Sequence, residues 1–309
     1  MVDSSAGALL PTPVRAISSD EPSKLLRFAV TAYREGPVAL ATLVDIRGGA
    51  ARALGSHVVV AADGRFAGYV SGGCVEAAVA AEALLAMETG CDRMVSFGDG
   101  SPFLDIVLPC GGGITVAIHV LRSVDVIEHV LQSLEQRKVA GLKYTPERQT
   151  LTAIDPPDSA GVRNGDVHLV YRPVTRLILS GQTNETQSIL RLAAASGYDC
   201  IVDDDSEPIG RLGLKIDPYT AVTLLHHDLD REGPVLDTAL GSPAFYIGAL
   251  GSTRTHGRRM ERLCASGWRG SDVERIKAPI GMFGPARDAT TLALSVLADV
   301  AAARLITYP

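Results

Sequence analysis

No excess of basic charge marks this chain: 29 lysines and arginines stand against 35 aspartates and glutamates, a net charge of −6. A general nucleic-acid binder presents a basic surface, so nucleic acid is not expected as a partner. Cysteine is scarce and scattered. The five, at positions 74, 91, 110, 200 and 264, show neither CxxC nor metal-finger spacing. An odd, dispersed set argues for a reducing compartment over a disulfide framework. Missing too is any uninterrupted run of the roughly 18 apolar residues that crosses a membrane. The longest candidate, residues 289–298, stops at Asp299. The first residues carry Asp3 and no basic stretch ahead of Ala8-Leu9-Leu10, unlike a secretory signal. These absences predict a cytoplasmic protein with no membrane partner.

What is present reads as globular: 46% hydrophobic and 21% charged residues over 309 positions, enough chain for two domains. Residues 1–22, rich in Ser, Pro, Ala and Asp and without period, are expected to form a flexible tail. Residues 23–140 are expected to form a first α/β domain, 141–174 a turn-rich junction with short strands between its breaks, and 175–309 a second domain. In the first, helical spacing covers 24–35 and 124–138, and an Ala-rich helix over 75–87 is expected to be buried on most of its surface. Strands are expected at 38–46, 93–97 and 114–121, with a hairpin of 56–61 and 66–70 around Asp63-Gly64. From residue 176 the strands 176–180, 200–202, 221–225 and 244–250 alternate with helices 185–195, 229–240, 254–266 and 288–303. That alternation predicts a doubly wound parallel sheet.

Tandem glycine costs backbone entropy, so glycine pairs at strand ends mark places where backbone must approach something closely. Three stand in the first domain: Gly48-Gly49 ahead of Arg52, Gly72-Gly73 within Ser71-Gly72-Gly73-Cys74-Val75-Glu76, and Gly111-Gly112 after Cys110. Cys74 is expected in the first turn of the Ala-rich helix, with Ser71 or Gly72 near its cap. There the helix N-terminus favours a thiolate, and the same N–H groups suit a ligand phosphate on which Arg52 can close. The alternative is two buried cysteines filling space beside tight turns. Cys91, Cys200 and Cys264 are expected in the core.

In the second domain, Gly181-Gln182-Thr183-Asn184-Glu185-Thr186 keeps only the first glycine of the dinucleotide fingerprint. Thr183 puts a β-branched side chain where phosphate would sit, while Asp203, ending the next strand, stands where a ribose-binding acid belongs. Gly248 and Gly251-Ser252 precede a helix bearing Arg254, Arg258, Arg259 and Arg262, which reads either as an anion site or as a solvated basic face. His227-Asp228 ends a strand and can move a proton or orient a ligand, with no third zinc ligand at recognisable spacing.

This set of motifs resembles the XdhC/CoxI family of molybdenum-cofactor maturation proteins, over roughly residues 25–305. The stretch Gly48 to Gly55 resembles the family's Gly-Ser-x-Pro-Arg element, with Ala51 in place of the proline. Ser71 to Glu76 matches Ser-Gly-Gly-Cys-Val-Glu in full, and Cys110 to Gly112 matches Cys-Gly-Gly. His227-Asp228, the run Tyr246 to Ser252, and Ala278-Pro279-Ile280-Gly281 are similar in the second domain.

The resemblance implies an N-terminal α/β domain of XdhC/CoxI type followed by a Rossmann-like domain. It also implies a cofactor-insertion chaperone rather than an independent catalyst. Such a protein would bind the molybdopterin form of the molybdenum cofactor and shield it while its sulfido ligand is installed. It would then hand the cofactor to a molybdenum hydroxylase apoenzyme of xanthine dehydrogenase, aldehyde oxidase or CO dehydrogenase type. A cysteine desulfurase is the implied sulfur source, and a homodimer is among the partners considered. Carried over residue by residue, Arg52, Ser71, Gly72, Gly73, Cys74, Glu76, Cys110, Gly111 and Gly112 would surround the cofactor. Cys74 and Cys110 would be soft contacts to molybdenum or sulfur. In the second domain the candidate contacts are Gly181, Asp203, His227, Asp228, Gly248, Gly251 and Ser252. The alternative function is an NAD(P)-dependent oxidoreductase working from the second domain, against which Thr183 speaks.

Overall fold

The structure, a computed structural model, describes residues 10–99, 101, 111–181, 183–203, 212–226 and 228–308. The chain divides into two compact units, Met1–Arg172 and Pro173–Pro309.

The apolar runs β2 (Val38–Arg47) and β6 (Gly113–Val120) form the centre of a six-stranded sheet in the first unit. With β1 (Val14–Ile17), β3 (His57–Ala61), β4 (Arg65–Gly68) and β5 (Arg93–Gly98), the order is β1-β4-β3-β2-β6-β5. All pairings are antiparallel except the parallel β1–β4 edge. Because successive side chains point to opposite faces, β2 feeds two cores. Val38 and Leu40 pack with helices α1 (Pro22–Tyr33) and α3 (Asp125–Glu135); Ala39, Ala41 and Leu43 pack with α2 (Glu76–Thr89). Burial on both faces explains why the strand reads as a continuous apolar run. The hairpin lies where expected, with Gly64 at φ +88° and Arg65 N–H donating to Asp63 Oδ1 at 3.0 Å.

Three expectations change. Part of the supposed tail is strand: β1 lies along β4, its four residues too few to show a period. The supposed junction is a second sheet, built from β7 (Ala140–Thr145), β8 (Thr150–Ile154), β9 (Gly161–Arg163) and β10 (Asp166–Tyr171) in the order β8-β7-β10-β9. Leu142, Tyr144, Val167, Leu169 and Tyr171 alternate along its inner strands and complete the α1–α3 core. Helix α2 buries one face only, through Val79, Ala80, Ala83 and Leu84, leaving Ala77 and Ala81 exposed.

The two sheets meet at a polar pair. His57 is 4% exposed; its Nδ1 lies 3.1 Å from Thr42 Oγ1 and its Nε2 2.8 Å from the Tyr171 hydroxyl. Burial lowers its pKa to about 4. The unfolded chain takes this proton near pH 6.5 and the folded chain only near 4, so the unfolded state binds more protons in between. This share of stability is therefore complete above pH 6.5 and is lost as the pH falls towards 4, at about 1.4 kcal/mol per pH unit. Urea midpoints measured between pH 7 and pH 4 should show that slope in the wild type and lack it in His57→Gln. An equally steep His57→Gln profile would assign the slope to other groups.

In the second unit, β11 (Arg176–Ser180), β12 (Asp199–Asp203), β13 (Thr220–Leu224), β14 (Tyr246–Ala249) and β15 (Ile276–Lys277) form a wholly parallel sheet, ordered β12-β11-β13-β14-β15. Helices α5 (Leu229–Leu240), α6 (Thr253–Ala265) and the short α7 (Gly270–Val273) contribute Val235, Leu236, Leu263 and Val273 to the core on one face. On the other, α4 (Asn184–Ala195) and α8 (Ala289–Thr307) contribute Ile189, Ala193, Val296 and Val300. The sheet is doubly wound, as the alternation predicts. Helix α8 runs through Asp299, as the helix expected over 288–303 does. The Asp299 carboxylate accepts from the Tyr246 hydroxyl at 2.8 Å and from Gly281 N–H at 3.2 Å, and the helix spans 19 residues. By length and composition alone it would suit a membrane span, but Ala293, Val296 and Val300 lie in the core.

Candidate functional site

The three glycine loops of the first unit meet at one end of the six-stranded sheet. Arg47, the last residue of β2, pairs with Gly113, the first of β6. Its guanidinium ties the strand ends together, donating to Asp45 at 2.6 Å, Thr115 Oγ1 at 2.8 Å and the Asp99 carbonyl at 3.0 Å. Beyond it the chains run close, with room for no side chain at Gly112 and a left-handed φ of +77° at Gly48. A Cβ on Gly112 would stand 2.5 Å from the Arg47 carbonyl oxygen, and one on Gly48 3.4 Å from the Gly112 Cα. On the other side, a Cβ on Gly72 would lie 3.7 Å from that of Ala51. The loop bearing Arg52 thus touches both of the others.

Glu76 shapes the central loop. It is the first residue of α2 and fully buried, at 0% exposure. Its Oε1 accepts from Val70 N–H at 3.2 Å, Ser71 N–H at 2.8 Å and the Ser71 hydroxyl at 2.8 Å. A buried carboxylate needs such partners, and the helix N-terminus adds a favourable dipole. Folding the loop inward onto Glu76 turns Gly72, Gly73 and Cys74 outward, all three exposed. Gly73 has φ +110° and open space where a Cβ would be. Ser71 Oγ accepts from Gly73 N–H at 3.2 Å and from the Cys74 thiol at 3.5 Å.

This corrects the expected cap. Val75 is the N-cap of α2, Cys74 precedes it, and Ser71 serves Glu76 rather than the helix end. It also decides the alternatives for Cys74, which is not a buried space-filler. Cys110 lies outside the described residues. Its neighbour Gly111 is exposed at φ +68°, again with open space at the Cβ position. Cys91 and Cys264 are exposed, contrary to the core position expected, whereas Cys200 is half-buried and packs against the core; Cys91 follows the left-handed Gly90 that ends α2.

Arg52 already has partners. Its Nη1 donates to Asp20 at 2.7 Å, and its guanidinium lies 5.1 Å from the centre of the Tyr69 ring, which Arg15 also faces at 4.2 Å. Asp20, Arg15 and Tyr69 carry no signal in the sequence: two sit in or beside a strand too short to show a period.

The second unit's candidates divide. At the carboxyl ends of β11, β12 and β13, Ser180 Oγ lies 3.0 Å from Asp203 Oδ2 and 2.8 Å from His226 Nε2. This is the switch point of the sheet, where open α/β folds bind ligands. Gly181 follows at φ +130°, but the turn closes on itself: Thr183 Oγ1 accepts from Thr186 N–H at 3.3 Å, and Thr186 Oγ1 from Thr183 N–H at 3.4 Å. That capping box occupies the helix end a pyrophosphate would use, so the residues do not fit a dinucleotide held in the usual way. His227 lies outside the described residues. Asp228 and Ser252 are N-caps, accepting from Asp230 N–H at 2.9 Å and Thr255 N–H at 3.2 Å. Gly248 is buried, where a Cβ would meet Tyr246 at 2.6 Å and Ile280 at 2.7 Å. Gly251 and Ser252 border a cleft of about 780 Å³ whose other wall includes Lys277, Met282 and Phe283. The arginine helix does not present a free row. Arg259 is buried against Glu232, and Arg262 pairs with Asp230 at 2.7 Å, leaving Arg254 and Arg258 exposed.

Comparison with known proteins adds the lineage. The chain is 50% identical over 294 residues to the molybdenum cofactor insertion chaperone PaoD of Escherichia coli strain K12, covering 95% of this chain and 92% of PaoD. Residues 32–98 match the XdhC and CoxI family, and residues 177–300 the XdhC Rossmann domain. The chain belongs to the XdhC and CoxI family. A more distant relative, the uncharacterised E. coli protein YqeB, is 25% identical over 285 residues, covering 85% of this chain and 43% of YqeB. A crystal structure described as a xanthine dehydrogenase from Bacillus halodurans superposes with a TM-score of 0.70 at 19% identity, over 93% of this chain and 96% of that one. That likeness establishes a shared fold. Within the family match lie the Ser71–Glu76 loop and all the described candidates of the second unit.

Proposed function

We propose that this XdhC/CoxI-family protein binds the molybdopterin form of the molybdenum cofactor at its glycine loops and inserts it into a molybdenum hydroxylase. The client would be of xanthine dehydrogenase, aldehyde oxidase or CO dehydrogenase type. The observation that carries the reading is the exposed Cys74 thiol, which follows the exposed Gly72 and Gly73 on the loop that the buried Glu76 network holds. Glycine backbone without Cβ atoms lets an anionic phosphate approach N–H groups closely. A thiol is a soft donor, suited to molybdenum or to the sulfur bound to it. The name of PaoD, at 50% identity, supports the same role.

The cofactor here is cargo, its redox chemistry belonging to the client enzyme. This chain's own residues bind and orient it: Glu76 fixes the loop, the glycines admit the phosphate, and Cys74 faces the metal end. Shielding of a sulfido ligand, a cysteine desulfurase as sulfur source, pairing of two copies and action in the cytoplasm belong to the same proposal.

The test is the cofactor content of protein purified from cells that make molybdenum cofactor. Oxidation should release fluorescent pterin close to one per chain, with molybdenum by elemental analysis. Cys74→Ala and Cys110→Ala proteins should carry much less. Equal pterin in all three would move the cofactor away from these loops, and none in the wild type would remove the carrier reading.

A further inference from the structure

We propose that Asp20 is an internal substitute for the cargo's anionic group: Arg52 leaves the Asp20 carboxylate for a phosphate when the cofactor docks, and returns to it on release. This rests on the carrier reading above. Arg52 stands on the loop that touches Gly72 through Ala51, its immediate neighbour in the chain. Its fork of donors is only partly used. Nη1 holds Asp20 at 2.7 Å, while Nε is buried with no hydrogen-bond partner.

The ion pair is built to be exchanged. Its side chains are 31% and 62% exposed for Arg52 and Asp20, and pairs in such surroundings contribute little net stability. A phosphate matches the guanidinium fork as a carboxylate does and carries more charge, which makes it the stronger partner. Asp20 does not diffuse away when displaced. The strand β1 just before it is fixed to β4, Arg15 donates to the Gly68 carbonyl at 2.9 Å, and Ser18 bonds the Tyr69 hydroxyl at 2.8 Å. A tethered carboxylate keeps a high local concentration, so it competes with bound phosphate and speeds its departure. Tyr69 gives the guanidinium an aromatic surface to slide over, since Arg52 already lies across the ring.

The experiment titrates inorganic pyrophosphate by calorimetry at low ionic strength into the full-length wild type, Asp20→Asn, Arg52→Ala and the double variant. Asp20→Asn should bind about two- to fivefold more tightly than wild type, the size of a weak ion pair released. Arg52→Ala should bind more weakly, and the double variant should match Arg52→Ala. Asp20 is on the surface, so its substitution should leave the unfolding midpoint where it is. Unchanged affinity in Asp20→Asn, a gain that survives without Arg52, or no pyrophosphate binding by Asp20→Asn would each overturn the exchange. Pterin content reports separately on carriage: a chain that carries pterin but shows a flat Asp20→Asn comparison keeps the carrier function and loses this mechanism.

Discussion

Glu76→Ala should cost the first unit about 2–5 kcal/mol and abolish cofactor retention. The carboxylate is fully buried and takes three donors on one oxygen, from Val70 N–H, Ser71 N–H and the Ser71 hydroxyl. Alanine removes the acceptor and leaves those donors inside the protein; each buried group without a partner costs about 1–3 kcal/mol, less whatever water recovers. Glu76→Gln keeps an acceptor oxygen and should cost less than Glu76→Ala. The protein has one tryptophan, Trp268, in the second unit, so its fluorescence does not report this loss. Hydrogen exchange of the Val70 and Ser71 amides does. Exchange as slow in Glu76→Ala as in the wild type would show that the carboxylate does not hold the loop.

Breaking the Arg259–Glu232 pair from one side should cost the second unit about 3–5 kcal/mol, whereas replacing both partners with apolar residues should restore most of it. The two side chains are 2% and 1% exposed. The guanidinium is bidentate on Glu232, through Nε and through Nη2 at 2.9 Å, and Nη2 also donates to the Leu250 carbonyl at 2.8 Å. Arg259→Met therefore strands a carboxylate in the interior, and Glu232→Leu strands a guanidinium. Glu232→Leu with Arg259→Met strands neither. Urea unfolding followed by Trp268 fluorescence reads this unit directly. Single variants no less stable than the double would mean that the pair is not desolvated as its exposure indicates.

Much of the fold was legible in the sequence because central elements carry strong local signals. β2 is a long apolar run, and Asp63-Gly64 makes its hairpin without help from distant residues. From β11 onward, strand and helix alternate with N-caps at Thr183, Asp228, Ser252 and Asp288. What escaped were β1, of four residues, and the pairing of the short strands β7 to β10 into one sheet. Their register comes from a neighbour rather than from their own pattern. Of the candidate site, the paired glycines mark tight turns, but Cys74, expected in the first turn of α2, lies just before its N-cap Val75. The loop could be seen, while the pull of Glu76 upon it could not.

By itself the sequence determined the doubly wound second unit, the tight glycine turns and the stretch that marks the family. Each depends on residues close together in the chain. Only the tertiary structure decided that the loops at Gly48, Gly72 and Gly112 meet, that Cys74 faces outward and that Arg52 and Arg259 are already paired. Arg52 finds Asp20 across 32 positions and Arg259 finds Glu232 across 27. No periodicity links residues so far apart, because the partner of a charge is chosen by the packing that brings it near.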